Sequence, residues 1–307
     1  MGGPAVGALA DDPPSPTLSK RTFMVEAGSG PQTYSVACQP GEELIGGGFA
    51  TQGSGLRVTS SYPNGGTWSV EAASTNKVPI GLEVQASCLT ASPGHTTIVE
   101  QKGEAPKLAV QCPEGTVVAG GGFHGNTQLP GSTFVTGSHP LGDNGWGIEA
   151  EIAPGGAAPG TQDIEVFAVC LAGAKLASAD PTDVKFPGPP FVGHCAGTDV
   201  PTAVGFELTD GRMLPYAVQR ATTTELAVNA DAPVSMRAIV MCVTWPPPPV
   251  TAGVNWPLVG GIALLVLLVV AAAYGLRSRR ARAGAQIDVD VRAERGGFGL
   301  DHLREVP

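Results

Sequence analysis

A cysteine-framed motif occurs twice in register and a third time in altered form, and this repetition constrains the fold more than any other feature of the chain. One copy reads Cys38-Gln-Pro-Gly41-Glu-Glu-Leu-Ile-Gly46-Gly47-Gly48-Phe49, and the next Cys112-Pro-Glu-Gly115-Thr-Val-Val-Ala-Gly120-Gly121-Gly122-Phe123. Each continues to a Ser-x-Pro (Ser61 to Pro63, Ser138 to Pro140). A turn and a tryptophan segment follow, carrying Trp68 or Trp146, and an apolar run closes each copy at Cys88 or Cys170. In the third copy Cys195 leads to Gly205-Phe206 at the same offsets, and Met236 to Cys242 closes it. There the tryptophan is missing, and Pro215 is the candidate for the Ser-x-Pro proline.

The copies occupy about 31–92, 105–173 and 188–245. Each reads as about five short strands with period-two alternation and Gly, Pro or Asn turns. Gly (43) and Pro (28) are abundant in the 307 residues, and no helical period is evident before residue 256. The expected fold class is therefore all-β: three copies of one unit closing around a common core as a β-prism or a barrel-like ring, which leaves few free sheet edges. Adjacent glycines within a strand imply close backbone approach, and three such strands would meet near a three-fold axis. The repeat leaves two symmetric disulfide pairings open. Pairing within copies gives Cys38–Cys88, Cys112–Cys170 and Cys195–Cys242; pairing between copies gives Cys88–Cys112, Cys170–Cys195 and Cys38–Cys242. The first makes each copy self-contained and is preferred.

Residues 256–276 carry no charge over 21 positions, a length that spans a bilayer core of roughly 30 Å as a helix. Trp256 and Tyr274 stand near its ends, and Arg277, Arg279, Arg280 and Arg282 follow at once. The positive-inside rule then places 277–307 in the cytoplasm as a tail and everything before the span outside the cell membrane. Membrane lipid is the partner expected for 256–276. The small pair Ala271 and Gly275 is a weak dimer signal, and oligomeric state stays open. Residues 246–255 form a proline-rich stalk, and 11–30, with Pro13, Pro14 and Pro16, read as a disordered linker. Ala8-Leu9-Ala10 before Asp11 looks like the cleavage end of a signal peptide, so 1–10 are read as its remnant. The tail holds 7 Arg against 5 acidic residues, whereas residues 1–276 hold 11 basic against 22 acidic, a net of −11. An acidic outer part excludes a nucleic-acid partner held by phosphate contacts.

The Cys-Pro-x-Gly start, the Gly-Gly-Gly strand, the Ser-x-Pro, the Gly-Trp strand and the closing Ala-x-Cys resemble a repeat of exported proteins of high-GC actinobacteria. They are also distantly similar to the three-fold β-prism of vitelline membrane outer layer protein I. The resemblance covers about 31–245, weakly in the third copy. It implies an extracytoplasmic, non-catalytic or uncharacterised role, with carbohydrate binding carried over from β-prism folds. No family binding residue maps onto this chain.

The search for reaction chemistry yields little. Gly120 to Gly125 matches G-x-G-x-x-G, but no helix start follows to hold a pyrophosphate. There is no P-loop and no nucleophile elbow. The histidines (95, 124, 139, 194, 302) show no metal spacing, and His194 beside Cys195 would matter only for a free thiol. No catalytic residue, metal or cofactor is expected, and the chain is read as not an enzyme. Glu71 and Glu149 hold equivalent positions, and a hydrolase built on them is a remote reading. Trp68 and Trp146 are either core anchors or sugar-stacking platforms, and the ligand reading takes them as its candidate residues. The expectation is a single-pass surface protein with a binding or structural role, its ligand a glycan, an envelope polymer or a surface protein. The alternative is an interaction scaffold or signalling partner acting through the membrane helix and tail.

Overall fold

A computed structural model describes residues 15–52, 55–90, 96–104, 106–125, 133–152, 163–186, 191–210, 217–220, 225–229 and 234–245. The span at 256–276, the stalk, the tail and residues 1–10 lie outside the described residues. No helix among the described residues is long and apolar enough to cross a membrane.

The described chain is all strand and turn. The first repeat supplies β1 (Ser15–Val25), β2 (Gln32–Ala37), β3 (Glu43–Thr51), β4 (Leu56–Asn64), β5 (Thr67–Ser74) and β6 (Ile80–Thr90). The second supplies β7 (Thr96–Glu104), β8 (Lys107–Gln111), β9 (Thr116–His124), β10 (Thr133–Leu141), β11 (Gly145–Ile152) and β12 (Asp163–Ala172). The third supplies β13 (Lys175–Ser178), β14 (Pro181–Phe186), β15 (Phe191–His194), β16 (Val200–Asp210), β17 (Ala217–Arg220), β18 (Glu225–Asn229) and β19 (Val234–Thr244). They form three sheets, and every sheet is shared by two repeats. The first sheet runs β1-β6-β3-β17-β18-β15, the second β2-β5-β4-β9-β12-β7, and the third β13-β19-β16-β10-β11-β8 with β14 also on β19.

Two expectations are corrected here. Residues 11–30 are not a linker throughout, because β1 pairs with β6 over its whole length, from Ser15↔Thr90 to Val25↔Ile80. Val25 is fully buried, and the Thr17 hydroxyl donates to the Glu42 carboxylate at 2.9 Å. Pro16 is tolerated in this strand because the strand lies at a sheet edge. The repeat accordingly begins one strand earlier than 31, 105 or 188: β7 flanks β12, and β13 with β14 flank β19, as β1 flanks β6. The second correction concerns Pro215. Register places Val218 opposite Phe49, as Ser61 is opposite Phe123 and Ser138 opposite Phe206. Arg220, two residues on, therefore stands where Pro63 and Pro140 stand; Pro215 lies outside the described residues.

The register also explains the motif. Neighbouring repeats join at seams of two residue pairs each: Ser60↔His124 with Ser61↔Phe123, Gly137↔Glu207 with Ser138↔Phe206, and Ala217↔Ala50 with Val218↔Phe49. A bulge lies before the first seam (Val58/Ser60) and the second (Val135/Gly137), and Pro63 or Pro140 follows two residues after it. A bulge turns the strand away and a proline removes a ladder donor, so Ser-x-Pro marks where one sheet hands over to the next.

The glycine triplets sit where three strands approach one another. A Cβ on Gly46 would lie 2.6 Å from the Thr202 carbonyl oxygen, and one on Gly120 would lie 2.8 Å from that of Ile45. The second glycine of each triplet accommodates an indole: side chains on Gly47 and Gly121 would overlap the rings of Trp68 and Trp146. The three disulfides are those within copies, and no cysteine is free among the described residues. Each also joins two sheets. Cys38 directly follows β2 of the second sheet and binds β6 of the first; Cys112 follows β8 of the third and binds β12 of the second; Cys195 follows β15 of the first and binds β19 of the third.

Candidate functional site

Trp68 and Trp146 do not present a sugar-stacking surface. They are 2% and 1% exposed, and each indole N–H donates to a buried hydroxyl at 3.0 Å, Ser61 or Ser138. The space beside them on the axis is about 20 Å³, room for one water and no ring. Glu71 and Glu149 are equally placed but on different sheets, so they form no catalytic pair. The Glu149 carboxylate accepts from the Lys107 ammonium, and Glu71 belongs to a separate cluster. The Gly120 to Gly125 run lies on strand β9 and its end, and the next element among the described residues is another strand, β10. Glu42 lies near Cys38 and Cys88, but those sulfurs are bonded to each other and hold no metal.

Two arrangements on the outer faces emerge instead. On the second sheet one crosswise row runs Thr33, Glu71, Ser60, His124, Glu165 and Lys102, one residue from each strand. His124 bridges two repeats: Nε2 lies 3.3 Å from a Glu71 oxygen, and Nδ1 lies 3.5 Å from a Glu165 oxygen. Ser60 donates to Glu71 at 3.0 Å, and Lys102 pairs with Glu165 at 2.7 Å. In the next row Tyr62 lies over Phe167, with centroids 5.3 Å apart, and 4.9 Å from His124. Gly122 between them permits this, since its Cβ would press on the Ser61 carbonyl and lie 2.9 Å from the Tyr62 Cα. Burial pushes the Tyr62 phenol up, and the charges of Glu71 and Glu165 push it further. The hydrogen bond that the ring donates to Glu71 raises the His124 pKa; burial opposes this, and the charges of Glu71 and Glu165 reinforce it. Burial acts to raise the Glu71 pKa, but the hydrogen bond and charge of His124, with Ser60 and Thr33, outweigh it and leave it lowered.

This row is a clamp across a short seam, and its pH dependence follows. The stability that charged His124 contributes is complete below the unfolded value near 6.5 and is lost as pH rises through the raised folded pKa. That of Glu71 is present above its ordinary 4.5 and is lost as pH falls through the lowered pKa. We therefore expect the melting temperature to fall as the solution moves from mildly acidic to mildly alkaline. His124→Gln should flatten that fall and cost on the order of 1 kcal/mol at acidic pH, after discounting for partial exposure. Thermal melts of both proteins across that range check it; parallel profiles would remove His124 from the clamp.

The third sheet carries a groove of about 510 Å³ over the equivalent positions. By register His139 stands for Tyr62, Glu207 for His124, Arg237 for Glu165 and Ile239 for Phe167. Among the described residues no aromatic pair fills this face. The edge strand, unbroken as β1 and β7, is here split: Ser178 pairs with Cys242 and Pro181 with Ile239, leaving Ala179 and Asp180 between β13 and β14. Arg237 reaches Glu207 at 3.0 Å and Asp183 at 3.5 Å. His139 Nδ1 lies 3.1 Å from the Pro140 carbonyl, which accepts from it. The sequence reading missed both arrangements. Its one available signal was the residue five before each closing cysteine (Glu83, Glu165, Arg237), which differs in sign between copies.

No family model matches the chain, and no curated protein matches it.

Proposed function

We propose that the chain is an exported, membrane-anchored protein of the cell surface, with a binding or structural role toward a glycan, an envelope polymer or a surface protein. The observation that carries the reading is the set of three sheet-to-sheet disulfides, one per repeat, which a reducing compartment would not maintain. The uncharged stretch at 256–276 followed by four arginines supports the anchor and its orientation. The ring of three sheets supports the likeness to the three-fold β-prism. The test is a non-reduced peptide mass map of the protein from its native membrane, with labelling of intact cells by an impermeant reagent. Three intact bridges and labelled lysines of residues 20–185 are expected. Six free thiols and no labelling would overturn the reading.

A further inference from the structure

We propose that the groove on the third sheet is the ligand site of this protein and that it takes an uncharged, hydroxyl-rich chain rather than a polyanion. The proposal rests on the surface-binding reading and adds the place and the charge class. Three observations lead to it.

The first is broken equivalence. On the second sheet the corresponding surface is filled by Tyr62 stacked on Phe167 and closed by one continuous edge strand. On the third sheet both rings are absent, and the edge strand parts at Ala179–Asp180, leaving a volume in the range of small-ligand sites. The second is the lining. Ile239, Pro181 and Leu176 give an apolar strip, beside which stand the fixed donors and acceptors of Arg237, Glu207 and His139. Such a strip suits the C–H face of a ring, and the polar groups suit its hydroxyls. The third is charge. Arg237 is held between two carboxylates, Glu207 and Asp183, and Asp143 adds another at the rim. Three carboxylates to one guanidinium, on a chain of net charge −11 before the tail, repel an anionic polymer.

The experiment uses the full chain in detergent against immobilised neutral glucan, mannan and galactan, with heparin and polyglutamate as polyanions. Ala179→Trp places a ring in the groove at the strand break, and Glu100→Trp puts the same ring on the exposed edge of the second sheet. Asp143→Ala, on an exposed turn, removes one acceptor without threatening the fold. We expect saturable binding to a neutral glycan that Ala179→Trp abolishes and Glu100→Trp leaves intact. Asp143→Ala should weaken it about fivefold, as the loss of one hydrogen bond would. Neutral-glycan binding that survives Ala179→Trp and Asp143→Ala overturns the groove while leaving a glycan-binding surface elsewhere. Binding to the polyanions alone overturns the charge assignment while leaving the surface-binding reading. No binding to any of the polymers overturns the proposal, and the peptide map then decides the surface reading separately.

Discussion

Gly121→Val will destabilise the protein by about 3 kcal/mol or more, and replacing Trp146 as well will return part of that loss. A side chain at 121 would overlap the Trp146 ring and the Phe167 carbonyl, one a rigid indole and the other backbone paired in the same sheet. Neither yields cheaply, so the cost lies at the upper end of overpacking. Trp146→Leu alone empties much of an indole site and strands the Ser138 hydroxyl in a buried place, for about 3 kcal/mol. The two changes occupy the same space, so together with Ser138→Val they should cost at least 1 kcal/mol less than their sum. The third repeat already carries that combination. Val204 stands at the position of Gly121, and by register Leu226 stands for Trp146 and Val218 for Ser138. Chemical denaturation of the single, double and triple variants checks this; strictly additive costs would show that the three positions do not act together.

Removing the second bridge, with Cys112→Ser and Cys170→Ser, should cost about 4 kcal/mol, the chain-entropy value for a closed loop of 58 residues. In a domain of this size that lowers the melting temperature by on the order of 10 °C. Reductant added to the native protein should reproduce the shift and carry it further, since three bridges are lost. A melting temperature unchanged in both experiments would mean that the seams and core hold the sheets without the staples.

How far the sequence could be read depends on whether a feature repeats within a copy or arises between copies. The glycine triplets and the closing cysteines follow from spacing; spacing left two symmetric pairings open, and the structure holds the preferred one, within copies. Strand β1 was hidden because Pro16, the prolines just before it and its Lys20-Arg21 pair imitate a linker, while the burial that defines it is confined to residues such as Val25. The tryptophans left a core and a surface reading open, since periodicity gives a face but not what covers it. The His124 clamp was out of reach for a different reason. Glu71 and His124 are 53 residues apart and meet only because β4 of one repeat lies beside β9 of the next. The groove has no motif at all; it is a difference between copies at matched positions and becomes visible once register fixes which residues match.

The bridge between Cys195 and Cys242 has a mechanical consequence. Cys242 lies three residues before Trp245, so tension applied at the C-terminal end of the domain reaches a covalent link almost at once. The load passes from Cys242 to Cys195 and enters the first sheet, and the ladder of β19 is not peeled residue by residue. The segments between bridged cysteines, with separations of 50, 58 and 47 residues, cannot pay out under pull. Stretched between its two ends, the domain would give up only a fraction of its contour length and then stop, behaving as a short tether of fixed reach until a reductant opens it.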